Sequence, residues 1–405
     1  MPGMSETEGG LPGHDWPLAG RDAEMDQIAA ALGDRGTGSV VLAGAPGVGK
    51  TRLARESVSR ARGTAAHADY VAATRAASSI PLGAVSHLLP DAPRTGPDLW
   101  RYAIGELAAR AHGGRFVLGV DDAHLLDEPS AGLIHQLVLR GQVSVVAVVL
   151  AGSPAPDAVV ALWKDGLARR LTVRPLSDAA MAELLGRVLG PRVEGRTRQH
   201  ILRVTAGNPL LLRELLTGAL EDGALVRGHG EWRWDKEPSY SASIRRLVED
   251  RLAGLGEAAR AALEVVACGE PVAATTLEYL TGRGMLDPDA VAEAERLGVV
   301  ARQREVVVPA HPLDGEVIRA LLPVGRARLI KEWLAGAAGL RTALAGAGPG
   351  LTLREQEIAL LASSGLASKD IAAKLNLSVR TVSNHLGHVY AKLGITGRGE
   401  LAALV

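Results

Sequence analysis

Residues Gly44-Ala45-Pro46-Gly47-Val48-Gly49-Lys50-Thr51 restrict what this chain can fold into more than any other stretch. They read G-x-x-x-x-G-K-T, with the β-branched run Ser39 to Ala43 before them and a helical pattern, Arg52 to Glu56, behind. A buried strand that enters a glycine loop opening a helix points several backbone N–H groups at one spot, and the helix dipole adds to them. That is a site for a polyphosphate. In such a loop Gly44, Gly47 and Gly49 let the backbone curl around phosphate oxygens, Lys50 reaches the β- and γ-phosphates, and the Thr51 hydroxyl holds Mg²⁺. The loop therefore calls for an α/β domain with a parallel sheet that binds a nucleoside triphosphate.

A second signal fits the first. Phe116 to Val120 is an apolar strand that ends in Asp121-Asp122, which places carboxylates at the carboxyl edge of the sheet. Asp121 is the candidate for the Mg²⁺ shell and Asp122 for orienting an attacking water, so these two acids are the catalytic candidates. They follow the loop by about 70 residues, room for one strand inserted between the two motifs. Val143 to Leu150 supplies a further buried strand and Leu171 to Leu176 the last one. Helical patterns follow at Asp178 to Leu189, Arg196 to Val204 and Leu210 to Ala219, with Thr205 to Pro209 as a break. Residues 241–334 read as mainly helical with one hairpin, Val299 to Val308, of β-wing type. Ala335 to Gly350 is rich in Gly and Ala and reads as a linker.

Composition narrows the partners. Lys and Arg number 45 against 45 Asp and Glu, so any contact with nucleic acid must be local rather than chain-wide. One cysteine, Cys268, excludes an internal disulfide framework and fits a reducing cytoplasm. No apolar run approaches the ~20 residues of a membrane span, so no membrane partner is expected. Residues 1–16 read as disordered, and Met1 to His14 lacks the basic-then-apolar order of a signal peptide.

Residues 351–405 form a separate helical unit. Thr352 to Glu355 is a capping box, and Ser368 and Ser378 are placed to cap a second and third helix around a tight turn at Asn376. In the third helix Val379, Val382, Leu386, Val389 and Leu393 fall on one stripe, while Arg380, Ser383, Asn384, Gly387 and Ala391 make a small, polar opposite face. The pattern matches a helix-turn-helix whose second element enters the major groove. It matches a small helical bundle with a solvated face as well.

The motifs separate these readings. Leu351 to Leu404 resembles the LuxR-type helix-turn-helix nearly throughout, in L-T-x-R-E-x-E-I, S-x-D-I-A-x-x-L, S-V-R-T-V-x-x-H-L and V-Y-x-K-L-G-I. Upstream, Gly20-Arg21-x-x-Glu24, the phosphate loop, Val120 to His124, Arg174 to Asp178, Gly207-Asn208-Pro209 and His311-Pro312-Leu313 resemble the ATP-binding members of that family, the MalT-like branch of the STAND class. The resemblance implies a multidomain chain: an α/β P-loop NTPase core of ASCE/STAND type at 17–176, a helical domain at 177–240, a winged-helix domain at 241–334, a linker at 335–350 and an all-α LuxR-type DNA-binding module at 351–405. It also implies that Arg21 lies near the adenine pocket, Pro209 packs by the nucleotide, and His311 senses the β-phosphate of ADP. By the same resemblance Ser383, Asn384 and Gly387 read bases, Lys369 and Arg380 meet phosphates, and Thr381 belongs to the DNA-contacting set.

Three departures stand out. Ser153-Pro154 replace an arginine common at the end of that strand, Asp122 stands where many ATPases carry glutamate, and a long helical-repeat domain is missing before the C-terminal module. The expectation is a cytoplasmic, nucleotide-switched transcription regulator, an activator and at most a slow ATPase. It uses ATP/ADP and Mg²⁺, binds double-stranded promoter DNA, self-associates as a dimer or higher, and is placed to touch RNA polymerase. Two alternatives stay open: a DNA-binding regulator with a vestigial nucleotide domain, and an ATPase machine tethered to DNA.

Overall fold

The computed structural model describes residues 16–34, 38–63, 67–89, 97–110, 116–228, 230–235, 240–346 and 351–403. The reading of residues 1–15 as disordered lies outside them. The chain divides into two compact units, Met1–Glu237 and Pro238–Val405.

The first unit is built on one parallel sheet. In chain order its elements begin α1 (Asp22–Gly33), β1 (Val40–Gly44), α2 (Lys50–Arg62), β2 (His67–Ala72), α3 (Pro97–Ala109) and β3 (Phe116–Asp121). They continue with α4 (Glu128–Leu139), β4 (Val143–Leu150), α5 (Asp157–Lys164) and β5 (Arg169–Thr172). The strand order is β2-β3-β4-β1-β5, so β4 lies between the phosphate-loop strand and the strand that ends at Asp121. All neighbours run parallel. Such a sheet is covered on both faces, and its strands are therefore nearly continuous in Val and Leu. One face packs Val40, Leu42, Val117, Val146 and Val148 against α1 and α2. The other packs Val41, Leu118, Val120, Val145 and Ala147 against residues of α3, α4 and α5. The last strand ends at Thr172, earlier than the expected Leu176: the Val173 N–H still bonds the Ala43 carbonyl, and Pro175, which has no N–H, then takes the chain off the sheet.

A small subdomain completes this unit: α6 (Asp178–Leu189), α7 (Gly195–Thr205), α8 (Pro209–Glu221) and a hairpin of β6 (Leu225–Gly228) and β7 (Glu231–Trp234). The hairpin adds two strands to the helical domain expected at 177–240. Its signal was legible, in the alternation of Trp232 and Trp234 with polar residues beyond Gly228 and Gly230.

The second unit opens with α9 (Ala242–Leu252), α10 (Glu257–Gly269), β8 (Val272–Ala273), α11 (Ala274–Gly282) and α12 (Ala290–Arg296). It goes on through β9 (Val300–Gln303), β10 (Val306–Pro309) and α13 (Pro312–Leu321). A three-stranded sheet in the order β8-β10-β9 joins these helices in what we term the hairpin module. Next comes α14, which spans Val324–Gly346. The stretch read as a linker is thus helical as far as Gly346. Alanine is the best helix former, and the Ala-rich run outweighs its glycines once Ile330 and Ala337 are buried. The C-terminal module holds α15 (Leu353–Ser363), α16 (Ser368–Leu375), α17 (Val379–Leu393) and α18 (Arg398–Ala403).

Candidate functional site

The carboxyl edge of the parallel sheet holds the first site. Lys50 and Thr51 open α2 directly after Gly49, which has φ +96°, a conformation open to glycine at little cost. Lys50 is buried and its Nζ donates to the Ala45 carbonyl at 2.8 Å, so the ammonium lies over its own loop. Burial lowers its pKa, while Asp122 and Asp121 oppose that shift. The Thr51 hydroxyl donates to Asp121 Oδ1 at 3.0 Å, across 70 residues of sequence. The same carboxylate oxygen accepts the Asp122 N–H at 3.2 Å. A hydroxyl and a carboxylate this close form an oxygen pair suited to a shared Mg²⁺ shell. Asp122 is exposed and sits in the left-handed region at φ 47°, which turns the chain sharply off β3.

Around the loop lies a cleft of about 580 Å³. Its mostly apolar end carries Trp16, Leu18, Leu184 and Pro209, and Lys50, Arg55 and Arg213 bring cations to it. Pro209 takes the first position of α8, where its missing N–H costs nothing. The preceding Asn208 caps α8 by accepting from the Leu210 and Leu211 N–H groups, and its Nδ2 donates to the Pro46 carbonyl at 3.1 Å. Gly47 leaves the space this requires: a Cβ there would sit 2.5 Å from Asn208 Oδ1. The small subdomain therefore clasps the phosphate loop itself. Arg21 lines the same cleft, but its guanidinium is committed to protein. It donates to the carbonyls of Val48 at 2.8 Å and Arg174 at 2.7 Å and pairs with Glu24. Its geometry is that of a brace behind the loop.

The second site is the C-terminal module. Thr352 and Glu355 form the reciprocal capping box of α15. Glu355 is buried, and Lys392 near the end of α17 donates to its Oε2 at 2.7 Å. Together with the Thr352 N–H and hydroxyl, that bond holds the Glu355 carboxyl down at a pKa of about 2. Ser378 caps α17 by accepting the Thr381 N–H. Ser368 does not cap α16. It is the first helical residue, and Ala367 takes the cap position without a side-chain bond.

Val382, Leu386 and Val389 are buried under α17 as expected, but Val379 is 47% exposed and leaves the stripe. On the opposite face Arg380, Ser383, Asn384 and Gly387 are exposed, as is Lys369 on α16. The hydroxyls of this face are partly spent. Thr381 Oγ1 lies 2.8 Å from Ser378 Oγ, and Ser383 Oγ donates back to the Val379 carbonyl at 3.0 Å. That leaves the Asn384 amide as the side chain best placed to offer both donor and acceptor to a base edge.

Comparison with known proteins finds a family match in each of the two regions that hold these sites. Residues 349–405 match the model of bacterial regulatory proteins of the luxR family, and residues 17–150 match that of the AAA ATPase domain. This chain joins a luxR-family module to an AAA ATPase domain. Over 51 residues it is 53% identical to an HTH-type transcriptional regulator of Mycobacterium tuberculosis, a match covering 13% of this chain and 6% of that one. Over 118 residues it is 36% identical to the HTH-type transcriptional regulator GfsR of Streptomyces halstedii, covering 28% of this chain and 47% of that one. The matches thus span less than half the length of these relatives. Among solved structures, a STAND protein with a tetratricopeptide-repeat sensor from Pyrococcus horikoshii is similar at 15% identity and TM-score 0.37, covering 94% of this chain and 55% of that one. No helix among the described residues is long and apolar enough to cross a membrane.

The residues lining the ATPase cleft all belong to the first unit, whereas His311 stands in the second, as the residue before α13. Its Nδ1 is buried without a hydrogen-bond partner, and burial, with Arg251 nearby, pushes its pKa down to about 4. Beside it the buried Asp314 accepts from Arg251 at 2.9 and 3.1 Å, and burial raises its pKa to about 6. Sequence reasoning missed two cleft residues, Arg55 and Arg213, and the clasp that Asn208 makes on the loop beside it. Asn208 had a signal, since an Asn-Pro pair before a leucine-rich helix is a cap.

Proposed function

We propose that this chain is a cytoplasmic transcription regulator, an activator, whose nucleotide state sets its grip on promoter DNA. The reading rests above all on the Thr51–Asp121 hydrogen bond, a prepared oxygen pair at the phosphate loop of a chain whose α17 face is open. In this reading the backbone of Gly44, Gly47 and Gly49 and the Lys50 ammonium hold the phosphates of ATP or ADP, and Thr51 and Asp121 hold Mg²⁺. The metal supplies charge neutralisation at the phosphates when bound. Pro209 closes the cleft from the subdomain side, and Arg21 keeps the loop in shape. Asp122 orients a water for slow hydrolysis, with Ser153 in place of a sensing arginine.

On the DNA side, Lys369 and Arg380 meet phosphates, and Asn384 reads a base with Ser383 and Gly387 allowing close approach. The 17–176 ATPase, 177–240 helical and 241–334 winged-helix divisions stand in this reading, the last corresponding to the hairpin module. His311 is assigned to the ADP-bound form. The ATP-bound form self-associates, so that two C-terminal modules meet a two-fold site near RNA polymerase. Leu401 of α18 is fully buried, so any pairing through that helix must use its outer face.

The test is DNA binding by the purified chain on its own promoter region, without nucleotide, with ADP and with a non-hydrolysable ATP analogue. Tighter binding with the analogue alone, lost in Lys50→Ala, is expected. Equal binding in all three conditions overturns the switch and leaves a DNA-binding regulator with a vestigial nucleotide domain.

A further inference from the structure

Asp121 has a neighbour that no motif announces. Strand β2 runs parallel beside β3, with Tyr70 opposite Gly119 and Ala72 opposite Asp121. Because Gly119 and Asp121 are two apart on one strand, they face the same side of the sheet, the side covered by α2. Tyr70 lies across Gly119: a Cβ at that glycine would be 2.3 Å from the tyrosine Cδ2 and 2.7 Å from Cε2. Arg55, one turn beyond Thr51 on α2, sits over the ring with its guanidinium carbon 5.3 Å from the centroid. The ring is thereby pinned between strand and helix. Its hydroxyl is buried between Asp121 and Arg55, near enough to feel both as hydrogen-bond partners, yet it reaches neither with normal hydrogen-bond geometry. Asp121, meanwhile, spends Oδ1 on both Thr51 and the Asp122 N–H. A buried donor without an acceptor is rare and asks for a reason.

We propose that Tyr70 is a positioning residue for the metal-holding carboxylate, its hydroxyl donating to Asp121 Oδ2 once Mg²⁺–nucleotide occupies the cleft. The inference rests on the nucleotide reading above. A ligating carboxylate needs an outer partner to fix its orientation, and loss of such a partner typically weakens metal binding about 10–100-fold. Gly119 is part of the same device, since any side chain there would displace the ring. Arg55 shields it from the open cleft.

The experiment uses the full-length chain and Tyr70→Phe, which keeps the ring, the packing on Gly119 and the arginine contact. Binding of a fluorescent non-hydrolysable ATP analogue is titrated with Mg²⁺ and repeated in EDTA. The half-saturating Mg²⁺ concentration is expected to rise about tenfold in Tyr70→Phe. Affinity in EDTA and the melting temperature should stay within error, results that a purely structural tyrosine would not divide in this way. In an Asp121→Asn background the same substitution should add nothing. An unchanged Mg²⁺ midpoint in Tyr70→Phe, with nucleotide still bound, overturns the role of Tyr70 alone. Failure of the unaltered chain to bind the analogue overturns the nucleotide reading and this inference with it.

Discussion

Two helices of the second unit, α17 and α12, present opposite charge. In the C-terminal module α16 and α17 meet through the turn at Asn376 to Ser378, and α17 carries Arg380 and Lys392 with no acidic residue. In the hairpin module α12 packs on α10, carries Glu293 and Glu295 against Arg296, and is approached through Asp287 and Asp289. DNA presents one negative charge per about 1.7 Å of axis, so a helix with this charge is repelled from the groove. A helix supplies a shape, and the side chains decide whether it meets DNA. The two helices also differ in how they are held. Lys392 ties α17 to a buried Glu355, whereas α12 is tied to β9 by Glu295 and Arg302, which are 31% and 46% exposed.

The largest break in this comparison should come from giving α17 the charge of α12. Lys369→Glu combined with Arg380→Glu is expected to weaken DNA binding by about a hundredfold or more near physiological salt, because on the proposed reading two phosphate contacts become repulsions. Fluorescence anisotropy checks this, and a loss under tenfold would mean that other groups make those contacts.

Next in size is the buried tie. Glu355→Gln should cost the C-terminal module about 2 kcal/mol in a denaturant titration at pH 7, since hydrogen bonds to a charged partner are lost. The sign with pH follows from the depressed pKa of about 2. The advantage of the native carboxylate is full above the ordinary carboxylate range near 4.5 and disappears as the pH falls toward 2. A deficit that grew on acidification would contradict the Lys392–Glu355 assignment.

The smallest effect is expected on the acidic helix. Glu293→Gln with Glu295→Gln should change DNA affinity less than about twofold and stability by no more than about 1 kcal/mol, the value of an exposed ion pair. A clear gain in DNA affinity would show that α12 already lies close to the duplex and that its acids hold it off.

Much of both sites was legible before any fold was known, for local reasons. The phosphate loop, Asp121 at the end of an apolar strand, and the capping box at Thr352 are short-range patterns, each with its own chemistry. The errors are equally instructive. Val379 matched the helical stripe but is the first residue of α17 and stays 47% exposed. Ser368 looked like a cap because serine commonly is one, yet the helix starts one residue earlier in the chain than that role requires. The Gly/Ala run after Leu334 was ambiguous by composition, and burial of Ile330 and Ala337 on α14 tipped it to helix.

By itself the sequence determined that this chain pairs a phosphate-binding α/β domain with a C-terminal helix-turn-helix module of luxR type. Glycine positions, strand-end acids and helical periods act over a few residues and carry their meaning with them. Only the tertiary structure decided which distant groups became partners. Arg21 reaches the Arg174 carbonyl across 153 positions, Asn208 holds Pro46 across 162, and Tyr70 is laid on Gly119 by the register of two parallel strands. Periodicity says which face a residue occupies, but the neighbour on that face is set by strand order and register. Those emerge only when the whole sheet is packed.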